Sequence, residues 1–383
     1  MNSSHAASAV VLDPLHGLDA LVRTLTARGY AVVGPVERDG VVDYRPIESG
    51  DEMPTGLRVE QAPGRWRSHH EGDTRFGWTP AAESWRRPFF PAEEEVLRVR
   101  RTDGTFAVSR PEPAHRPVAL IAARDCEVRA LHILDRVLLG GEHPDPRYAA
   151  RRADAFVVAV TCSVPAATCW CTSMGGGPRP AAGFDIRLTE LIDPHHAVLA
   201  EAGSDRGAEV LAALGGALPS SEHLAASDSV EAAAVASMRR PVDGLHLPVA
   251  LAGRDLDPHW DDVAARCLSC GNCTFVCPTC ACVAFGDSTA LTDDGGPAVE
   301  TVRHQTWASC FQLDHSNLGG RPVRATVASR YRQWLTHKLQ TWPEQFGTSG
   351  CVGCGRCTTW CPAGIDLPIE AAALAAAGEG TVS

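Results

Sequence analysis

Two matching cysteine runs near the C-terminus constrain this 383-residue chain more than any other feature. Each run has the pattern C-x2-C-x2-C-x3-C-P. The runs comprise Cys267, Cys270, Cys273 and Cys277 before Pro278, and Cys351, Cys354, Cys357 and Cys361 before Pro362. Eight thiols in two identical patterns indicate ligands of a metal cofactor.

The pattern is that of bacterial ferredoxins, in which three cysteines of one run bind one [4Fe–4S] cube and the fourth binds the other. Soft thiolates suit iron–sulfur clusters, and Gly271, Gly353 and Gly355 let the backbone approach a cube closely. Structural zinc also uses C-x2-C pairs, but it needs only four ligands. We therefore predict two [4Fe–4S] clusters, at site 1 (Cys267, Cys270, Cys273 and Cys361) and site 2 (Cys351, Cys354, Cys357 and Cys277).

A length of 383 residues is enough for two or three domains. The net charge is −11, and Lys338 is the only lysine among 35 basic residues, so no concentrated basic face for nucleic acid is expected. The sequence contains no run of about 18 apolar residues, so no membrane span is predicted. The N-terminus lacks the pattern of a secretory signal. Fifteen cysteines then favour metal ligation over disulfides. We expect a cytoplasmic protein.

A second group of cysteines follows two apolar segments between residues 117 and 192. Residues 118–122 and 155–160 are predicted strands, and residues 128–139 between them have helical periodicity. This order predicts a parallel βαβ unit, whose strands end at the same edge of the sheet. That edge, within residues 126–177, would carry four cysteines, which we call site 3: Cys126, Cys162, Cys169 and Cys171.

Site 3 has the ligand number of a third [4Fe–4S] cluster, although its spacing is not that of a ferredoxin. One structural zinc ion is an alternative. Buried free thiols, which behave as small apolar side chains, are another. Spacing alone leaves these three interpretations open.

The expected fold is an α/β N-terminal domain with a parallel βαβ core, followed by an α-rich ferredoxin-like domain that binds two [4Fe–4S] clusters. We predict the domains to be residues 1–245 and 246–383. A helical insertion at residues 283–350 separates the two cysteine runs. Within it, periodicity predicts helices over 301–311 and 327–339 that cover the clusters.

Three cysteines have no assigned role once twelve belong to sites 1, 2 and 3: Cys280, Cys282 and Cys310. Free thiols near a cluster are commonly buried and inert. Cys280 and Cys282 closely follow Cys277 in sequence. It therefore stays open whether one of them replaces Cys277 as a ligand at site 2.

Several short motifs accompany these cysteines. The loop at residues 168–175 is TCWCTSMG, and other motifs are RDC at 124–126, GFD at 183–185, FVCPTC at 275–280 and CVGCGRC at 351–357. Together they resemble the iron–sulfur β subunit of soluble, sulfhydrogenase-type [NiFe] hydrogenases, to which the electron-transfer subunit of anaerobic sulfite reductase is similar. The 168–175 loop is the most specific part of this resemblance.

The resemblance implies an electron-transfer subunit without substrate chemistry of its own. Its implied partners are the small and large subunits of a [NiFe] hydrogenase and a flavin-containing NAD(P)-binding subunit, with ferredoxin as an external carrier. It favours a third cluster at site 3, because all four cysteines belong to the family's pattern. The family often has Phe between its paired cysteines, where this chain has Trp170 and Ala281.

Two alternative functions stay open at this point. One is the electron-transfer subunit of an anaerobic sulfite reductase, whose distinguishing chemistry lies in other chains. The other is an enzyme in which the thiols of site 3 reduce a polysulfide or a disulfide, which would require exposed thiols of low pKa.

Overall fold

The computed structural model describes residues 8–102, 105–112, 116–193, 195–238, 240–290 and 300–377. Its strands are β1 (Ala9–Leu12), β2 (Ala31–Arg38), β3 (Val41–Pro46), β4 (Leu57–Ala62), β5 (Arg65–His70), β6 (Glu93–Thr102), β7 (Thr105–Ser109), β8 (Val118–Ala123), β9 (Phe156–Val160), β10 (Ile186–Leu191), β11 (Ala197–Ala202), β12 (Val283–Thr289), β13 (Glu300–Trp307), β14 (Asn317–Leu318) and β15 (Arg321–Pro322). Its α-helices are α1 (His16–Ala27), α2 (Arg86–Phe89), α3 (Asp125–Leu139), α4 (Pro146–Ala153), α5 (Asp205–Leu214), α6 (Ser221–Ser237), α7 (Leu247–Ala250), α8 (His259–Arg266), α9 (Asn272–Phe275), α10 (Val327–Thr336), α11 (Trp342–Phe346), α12 (Arg356–Thr359) and α13 (Leu367–Ala376).

A seven-stranded sheet organises the N-terminal part of the described chain, in the order β1-β11-β10-β9-β8-β2-β3. The four strands β10, β9, β8 and β2 run parallel, and antiparallel strands flank them. Strand β8, helices α3 and α4, and strand β9 form the βαβ unit, so that prediction is confirmed. Both strands are apolar along their whole length because helices cover both faces of the sheet.

The two faces of the sheet belong to separate apolar cores. Leu21 of α1 packs in the same core as Ile121 of β8, whereas Leu131 of α3 packs with the adjacent Leu120. Neighbouring side chains of β8 therefore point to opposite faces, as the pleat of a strand requires. This packing fixes the end of β8, and with it the start of α3, where site 3 begins.

Short helices lie within the two cysteine runs at equivalent positions. Gly271 precedes α9 with φ +75° and Gly355 precedes α12 with φ +73°. Helix α10 confirms the prediction over residues 327–339, and it continues through a π-helical turn, His337–Thr341, into α11. None of the helices within the described residues combines the length and apolar character needed to cross a membrane.

The helix predicted over residues 301–311 is wrong, because Glu300–Trp307 forms strand β13. This strand lies in a four-stranded sheet of order β12-β13-β6-β7, with Thr301 opposite Val99 of β6. The insertion therefore contains strands as well as helices, and its residues 291–299 lie outside the described part of the chain. The sheet joins strands from both sides of the domain boundary expected at residue 245, and that boundary stays a prediction.

Candidate functional site

Site 1 lies where the first cysteine run meets the end of the second. Its four cysteines line one cavity: Cys267, Cys270, Cys273 and Cys361. At Gly271 a Cβ would lie 2.8 Å from Ser309 Oγ and φ is positive, so the turn between these ligands requires glycine. Cys270 is exposed and its neighbour Leu268 is 67% exposed, so this cavity approaches the protein surface.

Site 2 lies deeper in the protein. Its four cysteines line a second cavity: Cys277, Cys351, Cys354 and Cys357. Trp170 and Lys338 form part of the same wall. Lys338 Nζ donates to Cys277 Sγ at 3.3 Å and to Thr279 Oγ1 at 3.0 Å. Burial alone would lower the pKa of Lys338, but the neighbouring sulfurs of Cys277 and Cys280 raise it well above its usual value.

Site 3 lies at the carboxyl edge of the parallel strands. Its four cysteines line a third cavity: Cys126, Cys162, Cys169 and Cys171. Cys126 lies in the first turn of α3, and Cys162 follows β9 by two residues. The loop is held because Cys162 N–H donates to Pro178 O at 2.8 Å and Gly177 N–H donates to Asp125 Oδ2 at 3.1 Å. The structure thus brings together four thiols that are up to 45 residues apart in sequence.

Site 2 shares a wall with each of the other two sites. Cys357 also lines the cavity of site 1, and Cys354 also lines that of site 3. The loops of sites 2 and 3 are joined by a hydrogen bond of 2.8 Å from Trp170 N–H to Gly353 O. Cys169 Sγ lies 3.8 Å from Cys354 O. The three sites form a row with site 2 in the middle.

The close approach of these loops depends on Gly353. Its φ is +69°, and a Cβ there would lie 2.5 Å from Trp170 O. We expect Gly353→Ala to destabilise the protein by at least about 2 kcal/mol, because the left-handed backbone disfavours alanine and the new methyl group separates the loops. Thermal unfolding and iron analysis measure the two effects.

Gly286→Ala is the matched control for this substitution. Gly286 lies in β12, its φ is not positive, and a Cβ there meets nothing within 4 Å. We expect the control to keep the stability and iron content of the original protein. Equal losses in the two variants would contradict the role assigned to Gly353.

A buried ion pair lies between sites 2 and 3. Arg356 Nη2 is 2.6 Å from Glu127 Oε1, and the two side chains are 2% and 0% exposed. Tyr44 Oη donates to the same carboxylate at 3.1 Å, and Arg356 Nε donates to Ala81 O at 2.9 Å. Sequence reasoning missed this pair. The sequence feature that could have revealed the pair is that both residues are next to predicted ligands. Glu127 directly follows Cys126, and Arg356 directly precedes Cys357 of site 2.

The thiols of the three sites differ in acidity. Burial raises the pKa of Cys171 to about 12 and raises that of Cys126 well above its usual value. For Cys277 the direction is reversed, because a hydrogen bond from Cys280 and the charge of Lys338 lower its pKa well below the usual value. Buried thiols of raised pKa become thiolates when metal binding displaces their protons.

Unpaired hydrogen-bond donors also line these cavities. Tyr331 Oη and Trp334 Nε1 at site 1, and Trp170 Nε1 at site 2, are buried and have no partner among the described residues. The sulfur atoms of an iron–sulfur cluster accept such hydrogen bonds. The donor set therefore fits [4Fe–4S] clusters. Among the described residues no three Cys, His, Asp or Glu side chains are placed to hold a single metal ion.

The three remaining cysteines lie outside the cavities of sites 1, 2 and 3. Cys280 is hydrogen-bonded to Cys277, and Cys282 and Cys310 line a further cavity beside it. Lys338 lines the same cavity, but no role at the sites was predicted for it from the sequence. Its being the only lysine in the chain was the signal that could have singled it out.

Comparison with known proteins shows which family the chain is related to. The family model of the 4Fe-4S dicluster domain matches residues 266–365. The chain is 31% identical over 289 residues to sulfhydrogenase 2 subunit beta of Pyrococcus furiosus, which covers 74% of this chain and 82% of that relative. No solved structure matches the chain. This chain belongs to the sulfhydrogenase β-subunit family of iron–sulfur electron-transfer proteins, with a domain that binds [4Fe–4S] clusters.

Proposed function

We propose that this chain carries electrons through a multi-subunit [NiFe] hydrogenase, with [4Fe–4S] clusters at sites 1, 2 and 3. The observation that carries the proposal is the row of three cysteine-lined cavities, in which the middle cavity shares a wall with each neighbour. When bound, each cluster takes up and releases one electron at a time. In this proposal the chain has no substrate of its own.

Groups of the chain itself stabilise the negative charge that reduction adds. Ser269 N–H lies 3.4 Å from Cys267 Sγ, and Gly353 N–H lies 3.4 Å from Cys351 Sγ. Hydrogen bonds to sulfur and nearby cations raise the reduction potential of a cluster. Lys338 supplies such a cation at site 2, so we infer that site 2 is the easier of these two sites to reduce.

The ends of the row are the places where electrons enter and leave. The exposed Cys270 at site 1 supports contact with a partner there. We propose as partners the small and large subunits of the hydrogenase and a flavin-containing NAD(P)-binding subunit, with ferredoxin as an external carrier. The name of the relative, a subunit of a sulfhydrogenase, supports an assembly of several chains.

Iron and acid-labile sulfide analysis of anaerobically purified protein tests the proposal. Three clusters give about twelve irons per chain, and two clusters give about eight. Four irons or fewer would contradict it. We expect Cys171→Ser to lower the count by about four, because site 3 loses a ligand. Cys310→Ser is the control, since Cys310 lines none of the three cavities, and its iron count is expected to stay unchanged.

Transfer through the row is tested by Cys270→Ser in the intact complex. We expect electron flow between NAD(P)H and the hydrogenase to become at least about tenfold slower, a barrier increase of about 1.4 kcal/mol. Reduction of an artificial dye by NAD(P)H at the flavin subunit should not change, because that reaction bypasses this chain. Unaltered flow in the variant would show that site 1 lies outside the electron path.

The alternatives are separated by different observations. Copurification with a siroheme subunit instead of a nickel-containing one would identify an anaerobic sulfite reductase. Reduction of a polysulfide by the thiols of site 3 themselves would require accessible thiolates. The buried Cys171 and its raised pKa support ligation instead.

A further inference from the structure

A cavity of about 370 Å³ lies beside site 2 and is separate from the cavities of sites 1, 2 and 3. It opens between α10, α11 and the loop that follows the first cysteine run. Its lining includes Lys338, Arg324 and His337, together with the three thiols that are not assigned to a cluster: Cys280, Cys282 and Cys310. Its volume is in the range of small-ligand sites.

The charge of this cavity is positive, in a chain whose net charge is −11. Among the residues that the structure describes, its lining contains two permanent cations, Lys338 and Arg324, and no carboxylate. Among the described residues neither cation has a carboxylate partner. Arg324 Nη1 donates to Ser316 Oγ at 2.7 Å, and Lys338, which is 3% exposed, donates to neutral oxygens and to Cys277 Sγ. Both cations act electrostatically on Cys310.

The rest of the lining selects among possible ligands. Two cations oppose the entry of a metal ion, and no three side chains among the described residues are placed to hold one. Trp342 and Phe346 give the cavity an apolar wall, and the thiols are weak donors with polarizable sulfur. Part of the neutral polar lining is already paired, since His337 Nε2 lies 3.3 Å from Gln345 Oε1 and Ser316 Oγ accepts a hydrogen bond from Arg324. A strongly hydrated anion would therefore lose its water shell here with few hydrogen bonds in return. A weakly hydrated, polarizable anion loses less.

We propose that this cavity binds a small, soft anion, held by the guanidinium group of Arg324 and attracted by the charge of Lys338, with its polarizable end against Cys282 and Cys310. Its binding adds a negative charge next to the ammonium group that faces Cys277. That charge offsets the ammonium and makes site 2 harder to reduce. The binding itself needs no cluster, and its effect on reduction rests on the proposed function.

Thiocyanate is the probe, because it is small, soft and weakly hydrated. We expect saturable binding of thiocyanate to the full-length, anaerobically purified protein, measured by calorimetry, and at least about tenfold weaker binding of sulfate. Arg324→Gln should weaken thiocyanate binding by about tenfold, because one charged hydrogen-bond donor is lost. Arg321→Gln is the control, since Arg321 is exposed and does not line the cavity, and its affinity should not change.

Absence of saturable binding, or equal affinities of the Arg324 and Arg321 variants, would overturn the proposal. The second measurement is the midpoint potential of site 2, followed by electron paramagnetic resonance, which should fall when thiocyanate saturates the cavity. Arg324-dependent binding to a protein with four irons or fewer would reject the proposed function and keep the anion site. A protein with about twelve irons that binds no thiocyanate would keep the proposed function and reject the anion site.

Discussion

Replacement of Glu127 by alanine is expected to destabilise the protein by about 3–5 kcal/mol, because Arg356 would keep its charge in the interior without a partner. The side chains of this pair are 0% and 2% exposed, so water cannot take the place of the lost carboxylate. In thermal unfolding the midpoint should fall by about 4–6 °C, because the unfolding entropy of a 383-residue chain is about 0.8 kcal/mol per degree. Since Glu127 and Arg356 are adjacent to ligands of sites 3 and 2, iron should be lost at a lower temperature as well.

Two further variants show whether the lost charge is the cause. The double variant Glu127→Leu with Arg356→Met removes both charges and should recover part of the stability. Glu83→Ala breaks an exposed pair with Arg87, whose side chain is 60% exposed, and should change the free energy of unfolding by less than about 1 kcal/mol. A similar loss in the Glu83 and Glu127 variants would contradict the prediction.

Lys338→Met is expected to lower the midpoint potential of site 2 by on the order of 100 mV. Lys338 Nζ lies 3.3 Å from Cys277 Sγ, and a unit charge acting over about 6 Å at an effective dielectric constant of about 20 contributes about 2–3 kcal/mol. For one electron that energy corresponds to about 100 mV. Redox titration followed by electron paramagnetic resonance measures the change, and electron flow through the row should slow with it.

Lys338→Arg keeps the positive charge and is the matched control. Its effect on site 2 should be much smaller than that of the methionine variant, although the guanidinium group has a different shape. Site 1 provides a second control within the same sample, because Lys338 lines the cavity of site 2 and not that of site 1. Equal shifts at sites 1 and 2 would indicate a general structural disturbance instead of a local charge.

Local sequence signals were sufficient to predict the parallel sheet. The apolar strands β8 and β9 are separated by a helix of clear periodicity, and parallel strands that end together place Cys126 and Cys162 at one edge. The cysteine runs were informative for the same reason, since residues within one run are neighbours in sequence. The structure brings the twelve assigned thiols into three cavities, and their role as ligands stays a prediction.

The features that were missed depend on residues that are far apart in sequence. Strand β13 pairs with β6, and the hydrogen bond between Arg98 and Glu300 joins residues 202 positions apart. No local periodicity reports such pairing, so the segment was interpreted as a helix. The ion pair of Arg356 and Glu127 likewise joins residues 229 positions apart. Because charged side chains are usually found on the surface, there was no reason in the sequence to place these two in the interior.

The sheet that contains β6 and β13 has a consequence for the synthesis of the protein. When the ribosome has made β6 and β7, the second pairing partner of β6, strand β13, is still about 200 residues away. One edge of β6 must therefore stay unpaired for a large part of translation, which is a risk for aggregation. Site 1 also stays incomplete until Cys361 emerges. We expect cluster insertion at site 1 to follow the synthesis of Cys361, with a carrier or chaperone shielding the open edge until β13 has been made.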